Sequence, residues 1–220
     1  MELSLTEENY LKAIYHLSGG GASEVSTNTL AEEMNTRPAS VSDMIRKLNQ
    51  KDVITYEKYQ GVNVSESGKQ AALRVIRKHR LWEVFLVKEL NFSWDEVHEV
   101  AEQLEHIKSP LLISRLDEYL GFPKYDPHGD PIPDEAGVIH ESVKYPIEEL
   151  AIGETCQLVA VKSDSSDFLK YLAKINARLG VSIQIHDKID FDGSMEVSIE
   201  NDAPLFISRD VAQNLLVAKK

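Results

Sequence analysis

One stretch limits this chain to a small number of folds: STNTLAEEMNTRPASVSDMIRKLNQKDVITYEKYQGVNVSESG. Leu30, Ala31 and Met34 predict a short helix, and after Asn35-Thr36 a second one follows, with Val41, Met44, Ile45 and Leu48 at i, i+3, i+4 and i+7. That stripe packs inward and leaves the opposite face free. Next, apolar and polar residues alternate on either side of Gln60-Gly61, which predicts a hairpin with Lys58 and Tyr59 near its tip. A helix-turn-helix followed by a hairpin is a winged helix. Upstream, Ser4 and Glu7 read as a capping box opening a first helix with Tyr10, Leu11, Ile14, Tyr15 and Leu17 as its apolar stripe, ended by Gly19 to Gly21.

The free face of the second helix carries Arg37, Ser40, Ser42, Asp43, Arg46 and Lys47. Short hydrogen-bonding groups near its N-terminal end and cations further along suit a major groove and the phosphates beside it. Lys58 and Tyr59 on the wing would lie along the sugar-phosphate backbone. The competing reading is an ordinary polar helix surface. A net charge of −12 would oppose a nucleic-acid partner if it were spread evenly, but Arg37 to Arg80 holds ten Lys/Arg against four Asp/Glu, a local +6. From Leu81 onward, thirteen face twenty-six, a local −13.

Two further helices carry a second kind of chemistry. Ser65 caps a helix running to about Leu90, with His79 and Glu83 at i and i+4. Ser93 and Glu96 form another capping box, opening a helix on which His98, Glu102, Glu105 and His106 fall within an arc of roughly 100°. Three glutamates directed at one locus repel each other unless a cation neutralises them. Imidazole nitrogen with carboxylate oxygen suits manganese, iron or zinc. The single cysteine, Cys156, excludes a disulfide framework and a Cys-rich zinc module. A solvated acidic face is the rival reading, and a winged-helix regulator that does not sense metal is its functional form. A metalloenzyme is disfavoured, since there is no His-Glu-x-x-His and the paired Glu-x-x-His elements of a four-helix carboxylate site are missing.

Ser109 and Pro110 start one more helix, LLISRLDEYL, stopped by Gly121 and apolar enough on one side to need a partner. Residues 122 to 137, FPKYDPHGDPIPDEAG, read as a connector held by turn residues, with metal binding by its acids and His128 the alternative. LAIGETCQLVAVKS and VSIQIHDKIDFDGSMEVSIENDAPLFISRD read as short strands around one helix, DFLKYLAKINARLG, composing a small SH3-like β-barrel. The expected fold is mainly α with a small β part. It comprises a winged helix-turn-helix at 1–70, a helical metal-binding and dimerisation domain at 71–140 and the SH3-like domain at 148–220. No apolar run approaches a membrane span and MELSLTEENY lacks a signal-peptide layout, so a cytoplasmic protein without membrane partners is expected.

ENYLKAIYHL, LAEEMNTRPASVSDMIRKL, KHRLWE, VHEVAEQLEH, GDPIP and the segment from LGVSIQI to AQNLLV, in this order and spacing, resemble the diphtheria toxin repressor family of metal-dependent regulators, manganese transport regulators included. The last segment is similar to the SH3-like domain related to a ferrous iron transport accessory protein. The resemblance implies a homodimer, repression of metal-uptake genes at palindromic double-stranded operators and no small-molecule substrate. It implies one metal site from Glu102, Glu105 and His106 with a ligand on the first helix, and another from His79, Glu83 and His98. The first-helix position is Asn9, where manganese-responsive members place Asp and iron-responsive ones Met. Glu102 stands where iron-responsive members place Cys, so Mn(II) is expected first, with Fe(II) the alternative and Zn(II) a substitute in vitro. The resemblance also aligns Asp164 and Asp167 with positions at which the SH3-like domain returns ligands to the His79 site, exposed turn acids being the equal alternative.

Overall fold

The protein is represented by a computed structural model that describes residues 2–57, 60–140 and 142–219. It divides into two compact units, one of Met1–His79, Glu102–Ile113 and Pro133–Ile139, the other of Arg80–Ala101, Ser114–Ile132 and His140–Lys220. Among the described residues, no helix is long and apolar enough to cross a membrane.

The first unit begins with α1 (Leu5–Leu17), closed at its start by the reciprocal Ser4/Glu7 capping box. Gly19, Gly20 and Gly21, all at positive φ, end it. Then come α2 (Thr27–Glu33), capped by the Ser26 hydroxyl, and α3 (Pro38–Gln50), with proline in its first turn. Leu11, Ile14, Leu30, Val41, Ile45 and Leu48 interlock in one core, against which Met44 packs half-buried. Each such fully buried aliphatic side chain contributes about 1.5–3 kcal/mol. Strands β1 (Ile54–Glu57) and β2 (Gly61–Val64) pair antiparallel to form the expected wing. Lys58 and Tyr59 lie outside the described residues. Helix α4 (Glu66–Leu90) follows at once, its start held against the wing because Gly68 has no side chain. A Cβ there would sit 1.7 Å from the Val53 carbonyl oxygen.

Helices α5 (Val97–Leu104) and α6 (Pro110–Tyr119) complete the helical part. The expectation of one continuous helical face through His106 needs correction here. Helix α5 stops at Leu104, so Glu105 and His106 lie in the turn beyond it. Ser109 and Pro110 restart the chain as α6 only five residues on, and proline at a helix start disfavours helical backbone just before it. The Glu96 carboxylate does accept from Ser93 N and Oγ, at 3.1 and 2.7 Å, but it closes a turn ahead of α5.

The second unit holds an antiparallel six-stranded sheet in the order β3-β8-β4-β5-β6-β7. Its strands are β3 (Tyr145–Pro146), β4 (Thr155–Val161), β5 (Ser182–Lys188), β6 (Met195–Ile199), β7 (Leu205–Ile207) and β8 (Leu215–Lys219). The register shifts at Leu158/Ala160 and Ile185/Asp187, as bulges that bend a sheet do. Helices α7 (Ser166–Lys174) and α8 (Arg209–Asn214) belong to it; α7 ends earlier than its sequence pattern predicts, with Asn176 left-handed at φ 56°.

Residues 122–132 are more than a connector. Tyr125 bridges Pro131, and Asp126 and His128 are buried. The turn lies against β4 because Gly129, at φ +88°, has no side chain; a Cβ there would sit 2.1 Å from the Val159 carbonyl oxygen, and Val161 N donates to His128 O at 3.0 Å.

Candidate metal centre

Within the first unit, Glu105 is the meeting point. Its carboxylate is fully buried and accepts from Lys12 Nζ at 2.7 and 2.9 Å, one bond to each oxygen. Oε2 also lies 2.6 Å from His79 Nδ1, and Oε1 lies 3.6 Å from His106 Nε2. Burial works to raise the Glu105 carboxyl, but the hydrogen bond with His79 and the charge of Lys12 win and hold it below the usual carboxylate range. An ionised Glu105 makes His79 Nδ1 the donor in that 2.6 Å contact.

Helix α1 supplies the rest of this cluster from one face. Lys12 also reaches Glu102 at 3.4 Å. Glu8, one turn before Lys12, places Oε2 2.6 Å from His106 Nδ1. Between them Asn9 presents its side-chain oxygen, which is buried and has no hydrogen-bond partner among the described residues. A buried amide oxygen without a donor costs roughly 1–3 kcal/mol, and a cation beside it would remove that cost. Among the described residues Glu102, Glu105 and His106 do not place three ligand atoms within 4.8 Å of one another, but two glutamate carboxylates, an amide oxygen and an imidazole nitrogen are the donor types of a hard or borderline divalent ion. Asn9, Glu102, Glu105 and His106 could therefore hold one.

The second unit contains a separate group around Glu83. Its Oε1 is 3.6 Å from His98 Nδ1, its Oε2 3.8 Å from His128 Nδ1. Glu83, Asp126 and His128 are all buried and each offers one ligand atom within 4.8 Å of the others. His128 is braced by Trp94, whose carbonyl oxygen is 3.3 Å from Nε2. Burial alone would lower the His128 imidazole, but Glu83, then Asp126, push it up to about 9. Burial, with Glu83 and Asp130 near, raises the Asp126 carboxyl to about 6, although Arg80 stands 3.4 Å away. His79 precedes Glu83 by one turn of α4. Asp164 and Asp167 are exposed around the start of α7, and among the described residues they join no metal-competent group. Acids at that place complement the helix dipole without any ligand.

Of the DNA-facing candidates, Arg37, Ser40, Ser42, Asp43, Arg46 and Lys47 are all exposed on or beside α3. Ser42 Oγ donates to Pro38 O at 3.0 Å, and Arg46 pairs with Asp43. Sequence reasoning missed Glu8 and Lys12, although their i, i+4 spacing around Asn9 was a usable signal. It also discounted Asp126 and His128, because Asp-Pro-His-Gly-Asp has turn composition and burial is invisible in composition.

Comparison with known proteins places this arrangement. Residues 2–62 match the family described as iron dependent repressor, N-terminal DNA binding domain, and residues 65–134 its metal binding and dimerisation domain. Residues 145–219 match the FeoA domain. The iron-dependent repressor IdeR of Mycobacterium tuberculosis is 33% identical over 132 residues, which is 60% of this chain and 57% of that protein, so the chain spans little more than half of that relative. The diphtheria toxin repressor of Corynebacterium diphtheriae is 26% identical over 203 residues, 88% of each chain. A solved structure described as a manganese-dependent transcriptional repressor complex with manganese superimposes with a TM-score of 0.84 at 34% identity, covering 97% of this chain and all of that one. With that coverage and those three matched segments, the chain belongs to the iron-dependent repressor family, the family of the diphtheria toxin repressor.

Proposed function

We propose that this protein is a dimeric, metal-activated DNA-binding repressor of metal-uptake genes, with Mn(II) its preferred activator and Fe(II) or Zn(II) able to substitute. The observation that carries this reading is the convergence of α1 and the turn after α5 on the buried Glu105 carboxylate, with a buried Asn9 oxygen on α1 that has no hydrogen-bond partner among the described residues. The solved relative described as a manganese-dependent repressor in complex with manganese supports the metal choice. So does Glu102, an oxygen donor where a sulfur would favour softer ions.

One site consists of Asn9, Glu102, Glu105 and His106. A second consists of His79, Glu83 and His98, with Asp126 and His128 as further donors. The bound ion supplies a divalent charge shared by the carboxylates. For Glu105 and Glu102 to ligate, Lys12 gives up its hold on them. Asn9 then turns its amide oxygen to the same locus, and α1 is drawn to the α5 turn at a defined position. Because Leu11 and Ile14 of α1 share a core with Val41, Ile45 and Leu48 of α3, the pose of α1 sets the pose of α3. Arg37, Ser40, Ser42, Asp43, Arg46 and Lys47 then meet the major groove and its phosphates, and Lys58 and Tyr59 the adjacent backbone. The exposed apolar residues of α6 and its C-terminal end, Leu111, Leu112, Tyr119 and Phe122, form the surface that pairs with a second copy.

Fluorescence anisotropy of an operator fragment, at fixed salt and with chelated protein titrated by Mn(II), anaerobic Fe(II) or Zn(II), tests this directly. Activation by Mn(II) above the others is the expected result. Tight binding indifferent to chelator would reduce the protein to a winged-helix regulator that does not sense metal.

A further inference from the structure

The Glu8 carboxylate stands outside the proposed ligand set, yet it makes a 2.6 Å contact with a residue inside it. Its side chain is 14% exposed and that of His106 9%, so this is a contact sheltered from water rather than a loose surface pair. The two nitrogens of His106 face different groups. Nδ1 is against Glu8, and Nε2 points towards Glu105 Oε1, 3.6 Å away. An imidazole binds a metal only through a nitrogen that carries no proton, and the partner of the other nitrogen decides which one that is.

Resting on the metal-site reading above, we propose that Glu8 is a positioning residue: its carboxylate holds the proton of His106 on Nδ1 and so presents Nε2, unprotonated and correctly aimed, to the ion. Helix α1 therefore contributes to the site twice, through Asn9 as a ligand and through Glu8 as the group that orients a ligand on another element. Glu8 also lies on the helix whose apolar face shares a core with α3. The geometry of His106 thus depends on α1 being seated, so metal affinity and the placement of the reading helix are linked before any DNA is present. The i, i+4 pair of Glu8 and Lys12 gives the face two opposed tasks, since Glu8 readies a ligand and Lys12 competes for one.

The test compares Glu8→Ala with Glu8→Gln, whose amide oxygen still accepts from Nδ1–H. Long-range ¹⁵N–¹H spectra of the metal-free full chain, with the His106 ring signals assigned by difference from His106→Asn, report the tautomer. Competition with a fluorescent chelator reports Mn(II) affinity without DNA. The expected result is an Nδ1–H tautomer in the native protein and in Glu8→Gln, a shift towards Nε2–H in Glu8→Ala, and Mn(II) affinity about 10–100-fold weaker in Glu8→Ala but within severalfold in Glu8→Gln. An unchanged tautomer and affinity in Glu8→Ala overturn the role of Glu8 alone. Equal loss of affinity in both variants with the tautomer intact overturns it too, since charge rather than positioning would then be at work. A native protein that binds no Mn(II), Fe(II) or Zn(II) overturns the site reading, and this inference with it.

Discussion

Two clusters in this molecule are built from the same residue types and behave oppositely. Around Glu105, the cation is an ammonium on α1 in direct contact with both carboxylate oxygens, and the carboxyl is held below its usual range. Around Glu83, the compensating charges are an imidazolium and a guanidinium at 3.4–3.8 Å, and the neighbouring carboxyl of Asp126 rises to about 6. Burial raises both acids: at Glu105 the His79 hydrogen bond and the Lys12 charge outweigh it, whereas at Asp126 the nearby Glu83 and Asp130 add to it and Arg80 does not offset them. The Glu105 carboxylate keeps its negative charge, whereas in the Glu83 cluster burial and neighbouring acids raise Asp126, and Glu83 raises His128.

The sharpest way to break this contrast is Glu105→Gln, which preserves volume but removes the charge at the centre of the first cluster. Metal affinity there should fall by more than about 100-fold, beyond what outer partners of ligands carry, and metal-activated operator binding should vanish. Isothermal titration with Mn(II) beside anisotropy checks both, and a response within tenfold of the native one would remove Glu105 from the ligand set.

The second cluster is addressed by pH. His128 is raised from 6.5 to about 9, so its contribution to the stability of the metal-free protein is fully present below about 6.5 and is lost as pH climbs through about 9. Thermal melts of chelated protein should therefore show Tm falling by several degrees between pH 6.5 and 9, and His128→Gln should flatten that slope. A slope that survives in His128→Gln would place the titration elsewhere.

A smaller effect tests the resident cation. Lys12→Met keeps most of the stem but removes the charge competing for Glu105 and Glu102. Divalent affinity should tighten by about tenfold, near 1.4 kcal/mol, while the chelated protein melts at a lower temperature because Glu105 is left less compensated. Weaker metal binding in this variant would show Lys12 supporting the site instead of opposing it.

The smallest expected change belongs to Asp164 and Asp167. Replacing both by alanine should leave metal affinity within about twofold and stability within about 0.5 kcal/mol, as for exposed positions without partners in a cluster. A tenfold loss of affinity would return them to the second site.

Much of this organisation is legible along the chain because it rests on local physics. Ser4 and Glu7 cap α1 by contacts three residues apart, and Val41, Ile45 and Leu48 mark the buried side of α3 by their spacing. The wing follows from alternation around Gln60-Gly61, and His79 and Glu83 share a face of α4 whatever lies beyond it. The order of the family motifs identified the family itself.

Other features depend on pairings that no local pattern encodes. Extending the helical pattern to His106 failed because chain direction changes after Leu104, just ahead of Pro110. Asp126 and His128 look like turn residues until Gly129 lets the turn lie against β4 and buries them. By itself, then, the sequence determined the secondary elements, the winged helix, the family and the residue types available for a metal, all of which follow from short-range spacing. Only the tertiary structure decided which of those residues meet, that Lys12 and Glu8 of α1 address Glu105 and His106 some ninety residues away, and which carboxylates stay charged. The physical reason is that burial and the distance between charges are properties of packed elements, and neither exists until the chain has folded.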